Sequence, residues 1–336
     1  MNNQFPRNIS IIGAGAWGTA LAVVLARRSF SVTLWARRPE AAAAMARQRE
    51  NAPYLPGVPL PEVVVPTGDL RRAAAGARLI VVAIPSRALA ASLAPLAPLL
   101  EGEPTLVSAT KGILPDTLET MTQVICRTLG VPPARVAALS GPSFAAEVAA
   151  GLPTAIVAAS AEAATAQTVQ AALGSPAFRV YASADPLGVE LAGALKNVIA
   201  IAAGMVDGLG LGHNARAALI SRGLAEMTRL GVAMGARPET MSGLAGLGDL
   251  ILTCTSDLSR NRRLGMELAK GAGPGEILAG GRFTAEGAGT APAAVRLAAR
   301  HGIEMPIAQE VAAVLFEGRS PRQAADALMA RALRFE

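Results

Sequence analysis

The first half of the chain alternates short runs of β-branched and aliphatic residues with longer stretches in which apolar residues recur every three or four positions. Such short runs are typical of buried strands, and such longer stretches are typical of amphipathic helices. The predicted strands are residues 9–12, 32–35, 79–84, 105–109, 136–140, 154–159 and 178–181, and the predicted helices among them are residues 19–28, 40–49, 88–99 and 117–129. This alternation predicts a mainly parallel sheet with helices on both faces.

The pattern changes at Asp185-Pro186, beyond which β-branched runs become rare and helical spacing dominates. The helices predicted in this second half are residues 188–205, 215–230, 260–270, 290–300, 307–316 and 321–333. A chain of 336 residues also exceeds the usual size of a single core. We therefore predict a sheet domain over residues 1–185 and an all-α domain over residues 186–336, with a cleft between them.

A glycine-rich loop joins the first predicted strand to the first predicted helix. Gly13, Gly15 and Gly18 form the pattern G-x-G-x-x-G directly after residues 9–12. The first glycine allows a tight turn, the second lets a pyrophosphate approach the backbone, and the third lets the helix pack on the sheet. The N–H groups at the start of the helix then face the anion. The first domain is therefore predicted to be a Rossmann-type, doubly wound α/β domain that binds a dinucleotide.

Two arginines follow the second predicted strand, where a domain that prefers NAD would carry an acidic residue for the ribose hydroxyl. Arg37 and Arg38 occupy this place. Because guanidinium groups can pair with the 2′-phosphate of NADP, the sequence favours NADP over NAD. The alternatives are the use of both cofactors, and two arginines that are only solvated.

One predicted helix is apolar throughout residues 191–203 except for Lys196 and Asn197. Lysines are rarely buried without a partner, and desolvation lowers the pKa of a lysine toward the range that suits proton transfer. An ammonium group at this position could stabilise and protonate the alkoxide that forms when hydride adds to a ketone. The alternative, which carries equal weight, is a structural ion pair with Glu190, Asp249 or another carboxylate.

A cluster of hydroxyl groups and arginines over residues 253–263 suits a phosphate group. Ser259 stands where a helix N-cap is expected, and Arg260 and Asn261 follow it in the first turn. Backbone N–H groups and guanidinium donors would act together on one anion there. The alternative is a capped surface helix without a ligand.

The composition raises the question of a membrane span, because 51% of the residues are hydrophobic and the mean hydropathy is +0.38. The longest apolar run, residues 188–205, contains Glu190 and Lys196, and ionised groups in mid-span are costly in lipid. This run is therefore predicted to be a buried core helix. Residues 1–10 lack the apolar stretch of a secretory signal, so we expect a cytoplasmic protein without membrane insertion.

Charge and scarce residue types narrow the chemistry further. The net charge of +6 comes from scattered arginines, and only 3% of the residues are aromatic, which favours small anions over nucleic acid as ligands. Cys126 and Cys254 have no spacing typical of metal or redox sites, so we expect reduced thiols. With His213 and His301 as the only histidines, a histidine-rich metal site is excluded, and no metal is predicted.

Together these motifs resemble the bacterial NAD(P)-dependent glycerol-3-phosphate dehydrogenases, nearly from end to end. The matching segments are Asn51 with 54–57 (YLPG), 13–21 (GAGAWGTAL), 109–112 (ATKG), 140–145 (SGPSFA), 193–200 (GALKNVIA), 214–216 (NAR), 246–250 (GLGDL), 253–255 (TCT), 259–262 (SRNR) and 286–287 (EG). The resemblance implies reduction of dihydroxyacetone phosphate to sn-glycerol 3-phosphate by NADPH or NADH, and a product that supplies glycerophospholipid synthesis. It also implies a homodimer.

The resemblance implies roles for individual residues as well, with Lys196 as the proton donor in ketone reduction and the proton acceptor in reverse. The implied substrate-binding residues are Lys111, Gly141, Ser143, Lys196, Asp249, Ser259, Arg260 and Asn261. The implied cofactor-binding residues are Gly13, Gly15, Trp17, Gly18, Arg37, Arg38, Lys111, Ala145, Arg260, Thr284 and Glu286. Around Thr284, residues 282–285 (RFTA) replace a more aliphatic stretch of the family pattern.

Two other functions remain open at this level. A related two-domain NADP-dependent dehydrogenase could act on another phosphorylated keto or hydroxy substrate, because the cluster after Ser259 suits phosphate in either case. A dinucleotide-binding sensor without turnover would share the glycine loop, but it would not need Lys196, whose presence disfavours it.

Overall fold

The computed structural model describes residues 8–279 and 285–332. Within these residues the chain forms two compact units, one of residues 8–111 with 121–189 and one of residues 112–120 with 190–279 and 285–332. The first unit is built around a sheet, and the second is helical. This arrangement confirms the predicted fold class.

The strands come from segments rich in Val, Ile and Leu, as their burial requires. They are β1 (Asn8–Ile12), β2 (Ser31–Trp35), β3 (Glu50–Asn51), β4 (Leu55–Pro59), β5 (Val64–Thr67), β6 (Leu79–Val82), β7 (Thr105–Ser108), β8 (Val136–Ser140), β9 (Thr154–Ala159) and β10 (Phe178–Ser183). The large sheet has the order β10-β9-β8-β7-β6-β1-β2-β5, and β3 pairs with β4 in a small separate sheet. Every neighbouring pair in the large sheet is parallel except β8 with β9.

Helices lie on both faces of this sheet. In the first unit they are α1 (Ala16–Arg27), α2 (Pro39–Gln48), α3 (Leu70–Ala74), α4 (Leu89–Leu93), α5 (Met121–Leu129), α6 (Ala145–Ala150) and α7 (Ala163–Leu173). Ile11, Val81 and Leu139 point to one face, where they share a buried core with residues of α1, α6 and α7. Their strand neighbours Ile80 and Leu106 are equally buried. Strands in the middle of the sheet, such as β6 and β8, are therefore buried on both sides, as a doubly covered sheet requires.

Seven of the eight strands in the large sheet were predicted, and the eighth, β5, was not. Pro66 lies within β5, and proline removes a ladder hydrogen bond, so it is tolerated only because β5 is an edge strand. The strand predicted to reach Ile84 ends at Val82, ahead of Pro85.

The helix predicted over residues 88–99 is wrong in its extent. Only Leu89–Leu93 is α-helical, and the flanking segments Ser86–Ala88 and Ala94–Leu99 are 3-10 turns. Pro98 has no N–H to donate within a regular helix, which explains the tighter turn. The sequence analysis also did not predict the helices α3, α6 and α7.

The segment 112–120 departs from the predicted helix over 117–129, which begins only at Met121. Leu118 has a φ of +63°, which a helix interior does not allow, and an antiparallel bridge joins Ile113 to Thr120. The segment belongs to the helical unit, where Arg296 Nη1 donates a hydrogen bond to the carbonyl oxygen of Pro115 at 2.5 Å.

Among the described residues of the second half, six further helices overlap predicted ones, and three short helices were not predicted. They are α8 (Pro186–Gly208), α9 (Gly212–Ala233), α10 (Pro238–Ser242), α11 (Asp249–Thr255), α12 (Arg260–Ala269), α13 (Pro274–Ala279), α14 (Glu286–Arg300), α15 (Pro306–Phe316) and α16 (Pro321–Met329), with a π-helical turn at Leu244–Gly248. The predicted break at Asp185-Pro186 is the start of α8, whose Gly188 N–H donates to the carboxylate of Asp185 at 2.8 Å.

Helix α8 is long and apolar enough, at 23 residues, to pass a length and hydropathy test for a membrane span. Its apolar window is completely buried inside the protein. Buried side chains along it include Leu191, Leu195 and Ile199. The structure therefore agrees with the prediction of a buried core helix.

Candidate active site

The glycine loop lies at the carboxyl end of β1, where the strand order reverses. Gly13 has a φ of +122°, and a Cβ at this position would collide with the backbone of Ala83. The N–H of Gly13 donates to the carbonyl oxygen of Trp35 at 3.1 Å, which ties the loop to β2. A Cβ on Gly18 would collide with the carbonyl oxygen of Gly13. Only glycine at these two positions lets α1 and the loop pack so closely.

The start of α1 fits a pyrophosphate. Gly15 is the N-cap residue, and no side-chain hydrogen bond caps the helix there. A Cβ on Gly15 would meet no atom within 4 Å, so this side of the loop is open. Trp17, in the first turn, is half-buried against the core of the sheet unit. The N–H groups of this turn and the positive end of the helix dipole suit the phosphates of a dinucleotide.

Asn51, from the short strand β3, holds the glycine loop from the side. Its buried side-chain amide donates to the carbonyl oxygen of Ala14 at 2.9 Å and to Thr19 Oγ1 at 2.8 Å. Arg49, directly before β3, donates to the carbonyl oxygens of Leu60 and Pro61 and so holds the segment that contains β3 and β4. The two-stranded sheet of β3 and β4 thus supports the loop that would bind the cofactor.

Arg37 and Arg38 are both exposed at the carboxyl end of β2. Arg38 is the N-cap residue of α2, and the N–H of Ala36 donates to the carbonyl oxygen of Thr67 at 2.9 Å, which fixes the backbone just before the two arginines. Two cations at this edge can pair with a phosphate on the ribose of the cofactor.

The ends of β7 and β8 bring Lys111, Gly141 and Ser143 together. Lys111 Nζ donates to the carbonyl oxygen of Gly141 at 3.2 Å, and Ser143 Oγ donates to the same oxygen at 3.0 Å. Gly141 has a φ of +141°, and a Cβ there would lie 2.9 Å from the Cα of Ile156. Ala145 begins α6 directly afterwards. The carboxyl edge of the sheet, at which the predicted cofactor loop also lies, therefore carries a cation and a hydroxyl group.

In the helical unit, Lys196 is buried in α8 and pairs with a carboxylate. Its Nζ lies 2.5 Å from Asp249 Oδ1 and 2.7 Å from Thr253 Oγ1. The hydroxyl of Thr253 donates to the backbone carbonyl oxygen of Asp249 at 2.6 Å, so its lone pairs can face the ammonium group. Of the partners considered from the sequence, Asp249 forms an ion pair with Lys196. These two contacts fix the position of Nζ. They are compatible with both the catalytic and the structural interpretation of Lys196.

A second polar chain connects α8, α12 and α14. Asn261 Nδ2 donates to Asn197 Oδ1 at 2.9 Å, and Asn261 Oδ1 accepts from the N–H of Gly287 at 3.1 Å. Asn197 in turn donates to the carbonyl oxygen of Gly193 at 3.2 Å. The start of α12 is therefore held in register with the lysine-bearing helix.

Ser259 caps α12 as predicted, because its Oγ accepts from the N–H of Arg262 at 3.2 Å. Arg260 follows it and is exposed. Surrounding protein lowers the pKa of the Arg260 guanidinium, and the carboxylate of Glu286 at the start of α14 opposes this effect. Arg260 and Glu286 are thus electrostatic neighbours. Thr284, which the resemblance also implies in cofactor binding, lies outside the described residues.

Cys254 lies near Lys196, but its thiol is expected to be unreactive. Its thiol is fully buried, and desolvation raises its pKa to about 12, an effect that the nearby charge of Lys196 only partly opposes. Over residues 8–279 and 285–332, no group of three or more His, Cys, Asp or Glu side chains could hold a metal ion.

Sequence reasoning did not single out Asn51, Asn197 or Thr253 as site residues. Thr253 follows Asp249 by four positions on α11, so helical spacing could have indicated it. Asn197 is a polar residue in an otherwise apolar stretch of α8, which is a weaker indication of a site residue. For Asn51 the sequence offers no local signal, since its partner Ala14 is 37 positions away.

The chain is similar to known proteins over nearly its whole length. Residues 8–166 match the family model described as the NAD-dependent glycerol-3-phosphate dehydrogenase N-terminus, and residues 185–326 match that of the C-terminus of the same family. The chain is 54% identical over 329 residues to a glycerol-3-phosphate dehydrogenase (NAD(P)+) of Geobacter sulfurreducens, and the match covers 98% of each chain. A relative with the same name in Geobacter metallireducens is 55% identical over 326 residues, 96% of this chain and 97% of the other.

Solved structures give the same result. The fold is similar to that of a glycerol-3-phosphate dehydrogenase from Coxiella burnetii, with a TM-score of 0.91 and 42% sequence identity, over 96% of this chain and 99% of the other. A ketopantoate reductase from Ralstonia eutropha is more distant, with a TM-score of 0.59 and 18% identity, so this second likeness concerns the fold alone.

Proposed function

Because this chain belongs to the family of NAD-dependent glycerol-3-phosphate dehydrogenases, we propose that it catalyses the NAD(P)-dependent interconversion of dihydroxyacetone phosphate and sn-glycerol 3-phosphate. The observation that carries the proposal is the buried cluster of Lys196, Asp249 and Thr253, in the unit whose α12 begins with Arg260 and Asn261. The product supplies glycerophospholipid synthesis.

The sheet unit binds the dinucleotide. Gly13, Gly15 and the first turn of α1 hold the pyrophosphate, and Arg37 and Arg38 hold the adenosine end. When bound, the nicotinamide supplies or accepts the hydride. The other residues assigned to the cofactor are Trp17, Gly18, Lys111, Ala145, Arg260 and Glu286.

Lys196 donates a proton to the carbonyl oxygen of the substrate during reduction and takes it back during oxidation. Asp249 and Thr253 hold Nζ in one position, so the proton is delivered from a fixed point rather than from a flexible side chain. Arg260, Asn261 and the capped start of α12 hold the phosphate of the substrate. Lys111, Gly141 and Ser143 are assigned to the substrate as well.

The test is the decay of NADPH absorbance with dihydroxyacetone phosphate, for the native chain and for Lys196→Ala. We expect kcat to fall by about 10²–10⁴-fold in the variant, which is the usual contribution of a general acid. Lys270→Ala is the matched control, because it removes an exposed lysine whose carboxylate partner, Glu267, is also exposed. NADPH affinity should be unchanged in both variants.

Each outcome of this assay has a definite meaning. An inert native protein that still binds NADPH would refute the substrate assignment and leave a dinucleotide-binding protein. Equal turnover by the native chain and Lys196→Ala would leave the reaction in place and return Lys196 to the role of a structural ion-pair partner.

We further propose that NADP is preferred over NAD, because Arg37 and Arg38 stand where an acidic residue would otherwise select NAD. Replacing both by alanine should weaken NADPH binding by about tenfold more than NADH binding, since only NADPH carries the extra phosphate. The control is Arg28→Ala with Arg78→Ala, two exposed arginines at the opposite edge of the sheet. Equal losses for both cofactors would contradict the proposal.

The assembly and location belong to the same proposal. We expect a homodimer in the cytoplasm, as the family resemblance implies. Sedimentation equilibrium should give about twice the chain mass of 34.1 kDa. A mass equal to one chain at micromolar concentration would refute the dimer.

A further inference from the structure

The backbones of α8 and α12 touch each other. A Cβ on Gly204 would collide with the carbonyl oxygen of Arg262, and a Cβ on Gly265 would collide with the carbonyl oxygen of Ile201. Two glycines that face each other in this way let the helix axes approach more closely than side chains would allow. The contact sets the distance between the helices, but a pair of glycines has no side chains that could set the rotation of α12 about its own axis. Side chains beside the contact must do so, and the hydrogen bond from Asn261 to Asn197 is one of them.

The start of α12 carries several positive charges that need compensation. Arg260, Arg262 and Arg263 all lie in its first turn, where the positive end of the helix dipole disfavours cations. Arg260 has the carboxylate of Glu286 nearby and Arg263 is exposed to water, whereas Arg262 is buried. A buried guanidinium needs a carboxylate partner.

Two carboxylates meet this buried guanidinium, and they are not equivalent. Arg262 Nε donates to Asp207 Oδ2 at 2.7 Å, and Arg262 Nη1 donates to Asp257 Oδ1 at 2.5 Å. The side chain of Asp257 is 95% exposed, whereas that of Asp207 is only 13% exposed. Because water screens an exposed pair strongly, Asp207 is the stronger partner of Arg262.

Asp207 lies near the end of α8 and also reaches a third helix. Its Oδ1 accepts from Nη1 of Arg216, on α9, at 3.0 Å. One carboxylate therefore connects α8 to both α9 and α12. The two contacts can be separated by experiment, because Arg216 lies on α9 and Arg262 lies on α12.

We propose that Asp207 is a positioning residue which, through Arg262 and together with the hydrogen bond from Asn261 to Asn197, fixes the rotation of α12 so that Arg260 and Asn261 face the phosphate of the substrate. Successive helical residues are about 100° apart, so Arg260 and Arg262 point in roughly opposite directions. Holding Arg262 against α8 therefore directs Arg260 away from α8. This inference rests on the proposed function, because it assigns the start of α12 to the substrate phosphate.

The experiment compares Asp207→Asn and Arg262→Gln with the native enzyme. Asp207→Asn keeps the size of the side chain, Arg262→Gln shortens it, and each variant removes one charge of the pair. We expect KM for dihydroxyacetone phosphate to rise about tenfold in each, with kcat within about twofold, because the phosphate site is displaced while Lys196 is not. Hydrogen exchange at the first turn of α12 should become faster in both variants.

Two controls give the result its meaning. Arg216→Met removes the other partner of Asp207, and Glu267→Gln removes an exposed carboxylate from α12 itself. Both should leave KM within about twofold of the native value. If Asp207→Asn lowers the melting temperature but leaves KM unchanged, or if Arg216→Met raises KM equally, the positioning role is refuted.

Failure of the proposed function would look different. In that case the native chain would not turn over dihydroxyacetone phosphate at all, and faster exchange in Asp207→Asn would still show that Asp207 holds α12. Unchanged exchange at the first turn of α12 in both Asp207→Asn and Arg262→Gln would refute the inference whatever the substrate.

Discussion

Replacing Glu226 by glutamine tests how the C-terminal helices are held on the rest of the helical unit. Glu226 lies on α9, is only 2% exposed, and accepts hydrogen bonds from the N–H groups of Ile307 at 2.8 Å and Ala308 at 3.4 Å. These N–H groups belong to the first turn of α15, which has no side-chain cap of its own at Met305. Glu226 therefore caps α15 from a different helix.

The magnitude follows from the pKa of this carboxyl group. Burial raises the pKa of Glu226 from 4.5 to about 7, although the two backbone N–H groups and the charges of Arg229 and Arg331 lower it. Because the folded pKa lies above the unfolded one, the stabilisation is complete below about pH 4.5 and is lost as pH rises through about 7. A difference of this size corresponds to about 3 kcal/mol in the free energy of unfolding.

Glutamine cannot ionise, so the variant should lose this pH dependence. Its amide oxygen can still accept from Ile307, but the longer hydrogen bond to Ala308 is lost, at a cost of about 1 kcal/mol. We therefore expect Glu226→Gln to be slightly less stable than the native chain at pH 5 and about 2 kcal/mol more stable at pH 8.

The assay must report on the helical unit, and tryptophan fluorescence does not, because Trp17 and Trp35 both lie in the sheet unit. Hydrogen exchange of the first turn of α15, together with urea unfolding followed by circular dichroism, measures the right region between pH 5 and pH 8. Glu267→Gln is the control, since it removes the same charge from an exposed position. Parallel pH profiles for the native chain and Glu226→Gln would refute the reasoning.

Three further predictions concern packing and reactivity. Asn51→Ala removes both hydrogen bonds to the glycine loop and should raise the Kd for NADPH about tenfold in a fluorescence titration, and an unchanged Kd would contradict it. Gly18→Ala places a Cβ against the carbonyl oxygen of Gly13, so calorimetry should show a melting temperature several degrees lower, whereas Gly275→Ala, with no atom within 4 Å, should change little. Burial and a pKa of about 12 should protect Cys254 from a thiol reagent at pH 8 until urea unfolds the chain. Label found on Cys254 of the native protein by peptide mapping, rather than on the less buried Cys126, would refute this.

Local patterns explain why much of the fold could be predicted. Runs such as β1, β6 and β8 are rich in Val, Ile, Leu and Ala and are buried on both faces, so composition alone indicates them. The same reasoning failed where proline interrupts a run. Strand β5, which contains Pro66, was not predicted, and the helix that includes Pro98 was predicted to be too long. Edge position and 3-10 geometry are decided by neighbouring elements rather than by the run itself.

Some features of the candidate site could likewise be predicted from local sequence, and others could not. The glycine loop depends on residues within six positions of one another, and Lys196 stands out against an apolar helix, so both are visible in the sequence. The partner of Lys196 was left open between Glu190, Asp249 and another carboxylate, and Asp249 lies 53 positions away. A contact at that separation depends on how α11 packs against α8, and no local pattern encodes it.

The sequence by itself determined the α/β and helical halves, the dinucleotide loop, the lysine in an apolar helix and, through its motifs, the family. These features arise from periodicity, from the special backbone of glycine and from the cost of burying charge, all of which act over a few residues. Only the tertiary structure decided that Asp249 and Thr253 hold Lys196, that Asn51 supports the glycine loop, and that Asp207 holds Arg262. The physical reason is that hydrogen bonds and ion pairs need distances of about 3 Å. Only the packing of distant helices and strands brings such groups that close.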